Sequence, residues 1–452
     1  MNFETTALFG ECKRILESTS DPSLFFYRME IYTPYGTHNP AKLLSIDINS
    51  DYVRQYAPKI IATFMISYGE FTHRIRPYYQ DLTVTITKSP DQLYRGPVGI
   101  DMQRYRAILV AIPPEPNITG QVQGRSADFG DLTNMVEVQL ELQEFLLEDI
   151  RAITTGTTIQ SSTPADALRA MITAYTARVG LSREEAPVSF DMQPPNNVTP
   201  QTHISIPHSV ELTSLADFLQ TKGGGIYNYD IASFLERGCW YVWSPFDTSR
   251  QDYVEDTLVL LLAPVGKYPG VEHTYRTTSR QTIVMVTGDR QHIDDTQNDL
   301  YDVGNGIRFL DAVGVMEGFD TVEGNRVTVD RSKNATEIIY APNPTGKVRM
   351  RTVQSSSNIY HELSKVSPSK GSYLTVVWEN ANNDLIRPDM NVQVMMAVGG
   401  VTSVHQARIL ASSTFIQNTG NGMMSNRYST TVTLALFVED TFGRAPIPNK
   451  EI

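Results

Sequence analysis

The sequence predicts a mainly β protein with an α+β insertion: two β-barrel units with a mixed unit between them. Three observations carry that expectation. Period-two runs recur along the chain, as in Leu82-Thr83-Val84-Thr85-Ile86-Thr87 and Val136-Glu137-Val138-Gln139-Leu140-Glu141-Leu142, and such runs send alternate side chains to opposite faces of a strand. Gly, Pro and Asn turns separate the runs, as in a sandwich or barrel. Helix-period stripes gather mainly between residues 156 and 300, where strands are interleaved with them.

Residues 1–22 predict an N-terminal helix, with Leu8, Cys12, Ile15 and Leu16 on one face and Asp21-Pro22 ending it. Residues 23–155 predict the first barrel, from Met29-Glu30-Ile31-Tyr32 and Ile46-Asp47-Ile48 through the apolar runs Ile60–Ser67 and Arg106–Ile112. A helical stretch through Phe145, Leu146 and Ile150 lies near its end.

Residues 156–300 predict the mixed middle unit. Thr163-Pro164-Ala165-Asp166 is a strong helix start, followed by the stripe Leu168, Met171, Ile172, Tyr175 and Val179, with Gly180 as its stop. The Pro- and Asn-rich stretch 186–207 reads as a linker or long loop. A helix is expected over Ser214–Thr221, stopped by Gly223-Gly224-Gly225, and another over Ile231–Arg237, capped by Asp230. Cys239–Trp243, Asp256–Ala263 and Gln281–Val286 read as strands. Residues 301–452 predict the second barrel, entered by a helix near Ile359–Val366. Its strands are Tyr373–Trp378, Asn391–Met396 and Thr431–Val438, with a polar turn through Asn382, Asn383 and Asp384.

At 452 residues the chain is long enough for about two to four domains. A net charge of −12 excludes phosphate gripping as the main task, because nucleic-acid binders carry a basic stripe and the longest Lys/Arg run here is Lys13-Arg14. Cys12 and Cys239 make no disulfide framework and read as small apolar groups. No secretory leader and no membrane span are expected, since no apolar run approaches about 18 residues. The sequons at Asn117, Asn197 and Asn334 are then chance matches.

The search for chemistry predicts no catalytic, cofactor-binding or metal-ligating residue. Gly346-Lys347 lacks the upstream glycine and the Ser/Thr of a phosphate loop. The triple glycine follows a helix rather than a strand, the wrong order for a dinucleotide site. His203 and His208 are five apart with Pro207 between them, which rules out a helical ligand pair. Asp294, Asp295 and Asp299 lack the glycine and spacing of a calcium loop. Glu137, Glu141, Glu144 and Glu148 read as the outward face of a strand and then of a helix. Tyr78, Tyr79, Tyr227, Tyr229, Trp240, Tyr241 and Trp243 could line a sugar-binding face, but such residues more often fill β cores and subunit interfaces, and the interface is the favoured reading.

Three places resemble the baseplate hub proteins of contractile-tailed bacteriophages, the T4-like tail hub family. Leu215-Ala216-Asp217-Phe218-Leu219, Gly225-Ile226-Tyr227-Asn228, Phe234-Leu235 and Trp240 through Phe246 are similar to that family's inserted middle domain. Ile359-Tyr360-His361-Glu362-Leu363, Leu374–Trp378 and Asn383-Asp384-Leu385-Ile386-Arg387-Pro388-Asp389-Met390 resemble its second barrel, although Asp389 stands where a glycine is expected. The unit holding Leu82–Thr87 resembles its first barrel.

The resemblance implies two tail-tube-like barrels per subunit and a non-enzymatic role. It implies a homotrimer that joins a hexameric tail tube to a trimeric central spike, with baseplate wedge and tape measure proteins as further partners. DNA would pass through the lumen without specific binding, and no membrane is involved. The location implied is the tail baseplate of a virion assembled in the host cytoplasm. Two other readings stay open: another tube, terminator, wedge or neck ring protein, and a glycan-active enzyme or binding module.

Overall fold

In the computed structural model the residues described are 3–17, 24–90, 100–111, 134–177, 189–248, 257–263, 273–278, 280–291, 307–308, 319–323, 326–329, 339–340, 351–352, 358–364, 367–398, 401–420 and 427–439. Gly180, the Asp294–Asp299 cluster and Gly346-Lys347 lie outside them.

One 15-stranded sheet runs through most of the chain and closes on itself twice. The strands used below are β1 Phe25–Thr33, β2 Lys42–Asp51, β3 Lys59–Ser67, β4 Leu82–Pro90, β5 Asp101–Ala111, β6 Met135–Gln143, β7 Thr154–Ser162, β8 Ser189–Met192, β9 Gln201–Glu211, β10 Ala232–Glu236, β11 Cys239–Trp243, β12 Thr257–Leu262, β13 Gln281–Gln291, β14 Gly371–Trp378, β15 Asn391–Val398, β16 Val401–Asn418 and β17 Arg427–Glu439. The first ring runs β1-β4-β5-β6-β3-β2-β16-β17 and returns to β1 through Phe25 opposite Tyr428. The second runs β12-β13-β14-β17-β16-β15 and returns to β12. Closure leaves no free edge on either ring, which removes a template for unwanted pairing.

The hairpin β16–β17 belongs to both rings. The first half of β16 pairs with β15, Asn391 opposite Arg408. Its second half pairs with β2, Ala411 opposite Asp51. At the handover the β16–β17 register skips one residue between Ile409 and Ala411. A bulge of this kind bends and twists its strand. The extra residue is Leu410, whose carbonyl accepts the Tyr52 main-chain N–H at 2.9 Å.

Two separate cores fill the rings. Phe25, Ile31, Phe64, Leu82, Val84, Val138, Leu140 and Ile416 pack in the first. Leu258, Leu260, Val284, Leu374, Trp378, Val392, Ile409 and Leu434 pack in the second. The short helical segment Phe71–Ile75 drops Phe71 and Ile75 into the first core.

β12 is apolar on both sides for a reason. Leu258 and Leu260 face the barrel, while Val259 and Leu261 meet Leu8 and Ile15 of helix α1, Thr5–Leu16. β12 pairs in parallel with both β13 and β15, and a strand covered on both faces reads as a continuous apolar run. β12 and β13 fall within 156–300 yet pair in the second ring, beside strands from 371 onward.

The remainder of the middle segment forms a third core. It includes the ribbon β7–β9, the sheet β8-β11-β10, and helices α2 Phe145–Arg151, α3 Pro164–Thr176 and α4 Leu215–Thr221. Thr163 caps α3 as expected, its hydroxyl accepting the Asp166 N–H at 3.1 Å.

Two expectations are corrected. The stretch 186–207 contains β8 and the larger part of β9, because Ile204 and Ile206 bury one face of the ribbon. The helix expected over Ile231–Arg237 is strand β10. Ala232 and Phe234 enter the second barrel's core while Leu235 enters the middle core. Burial on opposite faces needs a period of two, and tertiary packing overrides the local helix signal.

The triple glycine ends α4 as expected, the Gly225 N–H donating to the Leu219 carbonyl at 3.0 Å. Gly225 has φ +78°, and an added Cβ would lie 2.4 Å from Tyr360 Cβ and 2.7 Å from Asn358 Oδ1. Gly225→Ala is expected to destabilise the protein by about 1–3 kcal/mol, through left-handed backbone strain and the displaced Ile359–Ser364 helix. A denaturant titration comparing it with Gly10→Ala, where a Cβ meets nothing within 4 Å, checks this.

Candidate functional site

A polar constellation lies where the two barrels and the middle unit meet. Five segments build it. β4 supplies Lys88, and β5 supplies Asp101, Gln103 and Tyr105. The turn after β14 supplies Asn382, Asn383 and Asp384. The β10–β11 hairpin supplies Glu236, Arg237 and Gly238, with Glu144 reaching in from the end of β6.

Lys88 follows Leu82, Val84 and Ile86 in phase, so its stem points inward with them. It is 6% exposed. Its ammonium lies over the Phe25 ring at 4.1 Å. It donates to Asn382 Oδ1 at 2.8 Å, Asn383 Oδ1 at 2.9 Å and Asp384 Oδ2 at 2.6 Å. Burial lowers the Lys88 pKa in spite of the Asp384 charge beside it. Burial by itself would raise Asp384, but Lys88 and Arg237 together hold its carboxyl below the usual range.

The hairpin turn has Arg237 at φ +52° and Gly238 at φ +68°, consecutive left-handed residues as in a type I′ turn. Glu144 accepts both turn amides, Arg237 N–H at 2.6 Å and Gly238 N–H at 3.1 Å. The Arg237 guanidinium pairs with Asp384 and stands 4.0 Å from Asp101. Asp101 in turn accepts Gln103 Nε2 at 2.8 Å. Burial raises the Glu144 carboxyl against the pull of these amides.

A pocket opens beside this turn, lined by Tyr52, Gln103, Tyr105, Glu144, Glu236, Arg237, Asn383, Ser412 and Thr414 among others. Its carboxylates are those of Glu144 and Glu236, and Glu144 is tied to the main chain. Among the described residues no group of His, Cys, Asp and Glu is placed to hold a metal ion. What the constellation does chemically is to lock three parts of the chain together through charge and hydrogen bonds.

The other residues weighed from the sequence do not converge. His203 stands opposite Gln160 on the β7–β9 ribbon, and the His208 ring lies against Gly156. Glu148 pairs with Arg106 at 3.0 Å on the surface, and Glu141 lies opposite Ile61 within the first ring. The interface expected for the aromatic residues is corrected for three of them, which are core. Tyr227 donates its hydroxyl to the Gln193 carbonyl at 2.7 Å. Trp240 donates to Ser233 Oγ at 2.7 Å, and Trp243 sits in the second barrel. Tyr79 is exposed. Asp389, found where a glycine was expected, has no left-handed φ, and its carbonyl accepts buried Arg408 at 3.0 Å.

Lys88, Glu236, Arg237 and Asp384 belong to no sequence motif that marks a site. One signal was available: Lys88 lies on the apolar phase of β4 and therefore needs a buried partner.

No family model and no curated protein matches the chain. Solved structures do. The tail protein from Neisseria meningitidis MC58 is similar at 13% identity and TM-score 0.44, over 92% of this chain and 97% of that one. The 43 kDa tail protein of prophage MuSo2 from Shewanella oneidensis is similar at 9% identity and TM-score 0.43, over 90% and 96%. The E. coli c3393 protein, a type VI secretion component with structural similarity to T4 bacteriophage tail proteins gp27 and gp5, is similar at 8% identity and TM-score 0.43, over 92% and 79%. These neighbours are tail and secretion-system proteins, the class to which the resemblance pointed. At TM-scores below 0.5 the likeness carries no functional weight.

Proposed function

We propose that this chain is a structural subunit of a phage-type tail, a baseplate hub that works as a homotrimer between a hexameric tube and a trimeric spike. One observation carries the reading: a single hairpin, β16–β17, builds two closed barrels, so each chain offers two ring-forming units. Three copies would then offer six units to a sixfold tube and three to a threefold spike. Closed barrels suit this role, because contacts between subunits are made by outer faces and loops rather than by open strand edges. Tube, spike, wedge and tape measure proteins would be its partners in the virion baseplate. The acidic balance of −12 suits a channel through which DNA slides, since like charge does not trap phosphates.

Native mass and frozen-particle imaging of the full chain test this. The expected result is a threefold particle of three times 50.6 kDa with an open axial channel. A sixfold ring would move the protein to a tube, terminator or neck position. A monomer that stays single when mixed with tube and spike proteins would sink the hub.

A further inference from the structure

One face of the shared hairpin is uncharged. Its odd-numbered residues from Ala411 to Gln417 and from Ser429 to Ala435 are all Ala, Ser, Thr, Gln or Phe. The even-numbered residues of β17 point into both cores, so the odd-numbered ones form a wall that continues from one ring to the other. Val377, Thr433, Ser413 and Asn49 make one cross-strand row, from β14 of the second ring to β2 of the first. Thr431, Phe415 and Asp47 make the next, and Ser429, Gln417 and Ser45 the third. Lysine and arginine stand at the borders of these rows: Lys59 beyond Asn49 on β3, and Lys42 and Arg427 at the tip. The opposite side of the first ring differs, with Arg28 and Glu30 on β1, Arg104 and Arg106 on β5, and Glu137 and Glu141 on β6.

A charge-poor wall suits contact with another protein or passage of a polyanion, and composition decides between them. Protein interfaces gather aromatic residues, Met and Arg and are poor in Ser and Ala. The three rows hold three serines, two threonines, Asn49 and Gln417 against one large exposed apolar side chain, Phe415. Such hydroxyls and amides keep their water and offer a phosphate no cation. We propose that this wall lines the channel of the assembled ring, as a hydrated surface past which a DNA duplex slides. The inference rests on the hub reading and says which face of the chain points to the axis. Each Lys or Arg that neutralises a phosphate releases a counterion and tightens binding. A wall without them passes the duplex without holding it, and Asp47 adds repulsion. Because β16 and β17 serve both rings, the same face lines the channel along both.

Lysines placed on the wall test this. Ser413→Lys/Gln417→Lys puts two cations per copy at exposed positions. Retention of a linear DNA duplex by the preassembled full-chain ring is compared with retention of a covalently closed minicircle of the same sequence, since threading needs an end. The wild type is expected to hold neither. The wall variant is expected to hold the linear duplex about tenfold or more tightly than the circle, with the difference lost as salt rises from about 50 to 200 mM. Thr154→Lys/Thr158→Lys, on the exposed side of the β7–β9 ribbon, is the control and is expected to treat the two DNAs alike. A wall variant that holds linear and circular DNA alike, or neither, overturns the proposal, as does a wild type that retains the linear duplex. If the wall variant does not assemble, a frozen-particle map of the wild-type ring decides. Ser413 and Thr433 are expected on the channel surface, and a map that places them between copies or on the outer wall overturns the proposal. Failure in either test leaves a threefold ring intact, whereas a chain that forms no ring fails the hub reading itself.

Discussion

Deleting Ser413 prevents the chain from reaching its two-barrel state, whereas deleting Leu410 keeps every side chain of β16 on its present face and still lets the chain fold. The argument rests on phase. In the second ring the inward residues of β16 are odd-numbered, Ala407 and Ile409. In the first ring the buried residues are even-numbered, Ser412, Thr414 and Ile416. β17 needs no such switch, for Tyr428, Thr430, Val432, Leu434 and Leu436 are buried in one continuous even phase. Leu410 is the one-residue insertion that changes the phase of β16 against β17. Without it Ala411 follows Ile409 directly, and Ser412, Thr414 and Ile416 stay inward. Loss of Ser413 instead turns Phe415 and Gln417 inward and Thr414 and Ile416 out, since a slip of one residue exchanges the faces of a strand. The Ser413 deletion therefore costs the pairing of β16 with β2 and the closure of the first ring, while the Leu410 deletion loses the bend and the hydrogen bond from the Tyr52 N–H. Leu410→Ala removes only packing against Phe246 and Phe437, a loss of about 2–5 kcal/mol. Soluble yield and a cooperative thermal transition separate the variants: a Ser413-deletion protein with a wild-type transition would show that closure of the first ring tolerates a slip of one residue.

How far this architecture can be read from sequence depends on the range of the interaction. β4 and β6 are legible because Leu82, Val84, Val138 and Leu140 alternate without interruption. α3 is legible because Thr163-Pro164 marks its start chemically. β12 is legible as a buried strand from its unbroken apolar run, although the α1 helix that covers its outer face lies far away in sequence. β10 is misread because Asp230 before an apolar stretch imitates a helix cap. What decides its state is that Phe234 and Leu235 belong to different cores, a fact of tertiary structure. Ring closure through β16 and β17 joins residues 45–51 to 411–417, and no local pattern encodes that pairing. The site lies between these extremes. Lys88 on an apolar phase announces a buried charge, but its partner Asp384 is 296 residues away and looks like any polar turn residue.

That pair also sets the second large effect. Asp384→Ala is expected to cost about 3–5 kcal/mol, the loss typical when one partner of a buried ion pair is removed. Lys88 would keep only the amide oxygens of Asn382 and Asn383, and Arg237 would lose the partner that fixes its turn. Replacing both partners differs in kind. In Lys88→Met/Asp384→Leu the methionine stem packs under Phe25 and no charge is left unpaired in the β4 core, so most of the loss is expected to return. The wild-type contribution also depends on pH. The Asp384 carboxyl is held below its ordinary range in the folded protein, so the unfolded chain takes up its proton first as pH falls. The stabilisation is fully present above the ordinary carboxylate pKa of about 4 and is lost as pH falls through the folded value. Urea titrations of the wild type, Asp384→Ala and the double variant at pH 7 measure the coupling. A double variant as unstable as Asp384→Ala would mean that Arg237, rather than Lys88, is the cation that needs Asp384. The lock would then lie on the hairpin turn rather than in the barrel wall.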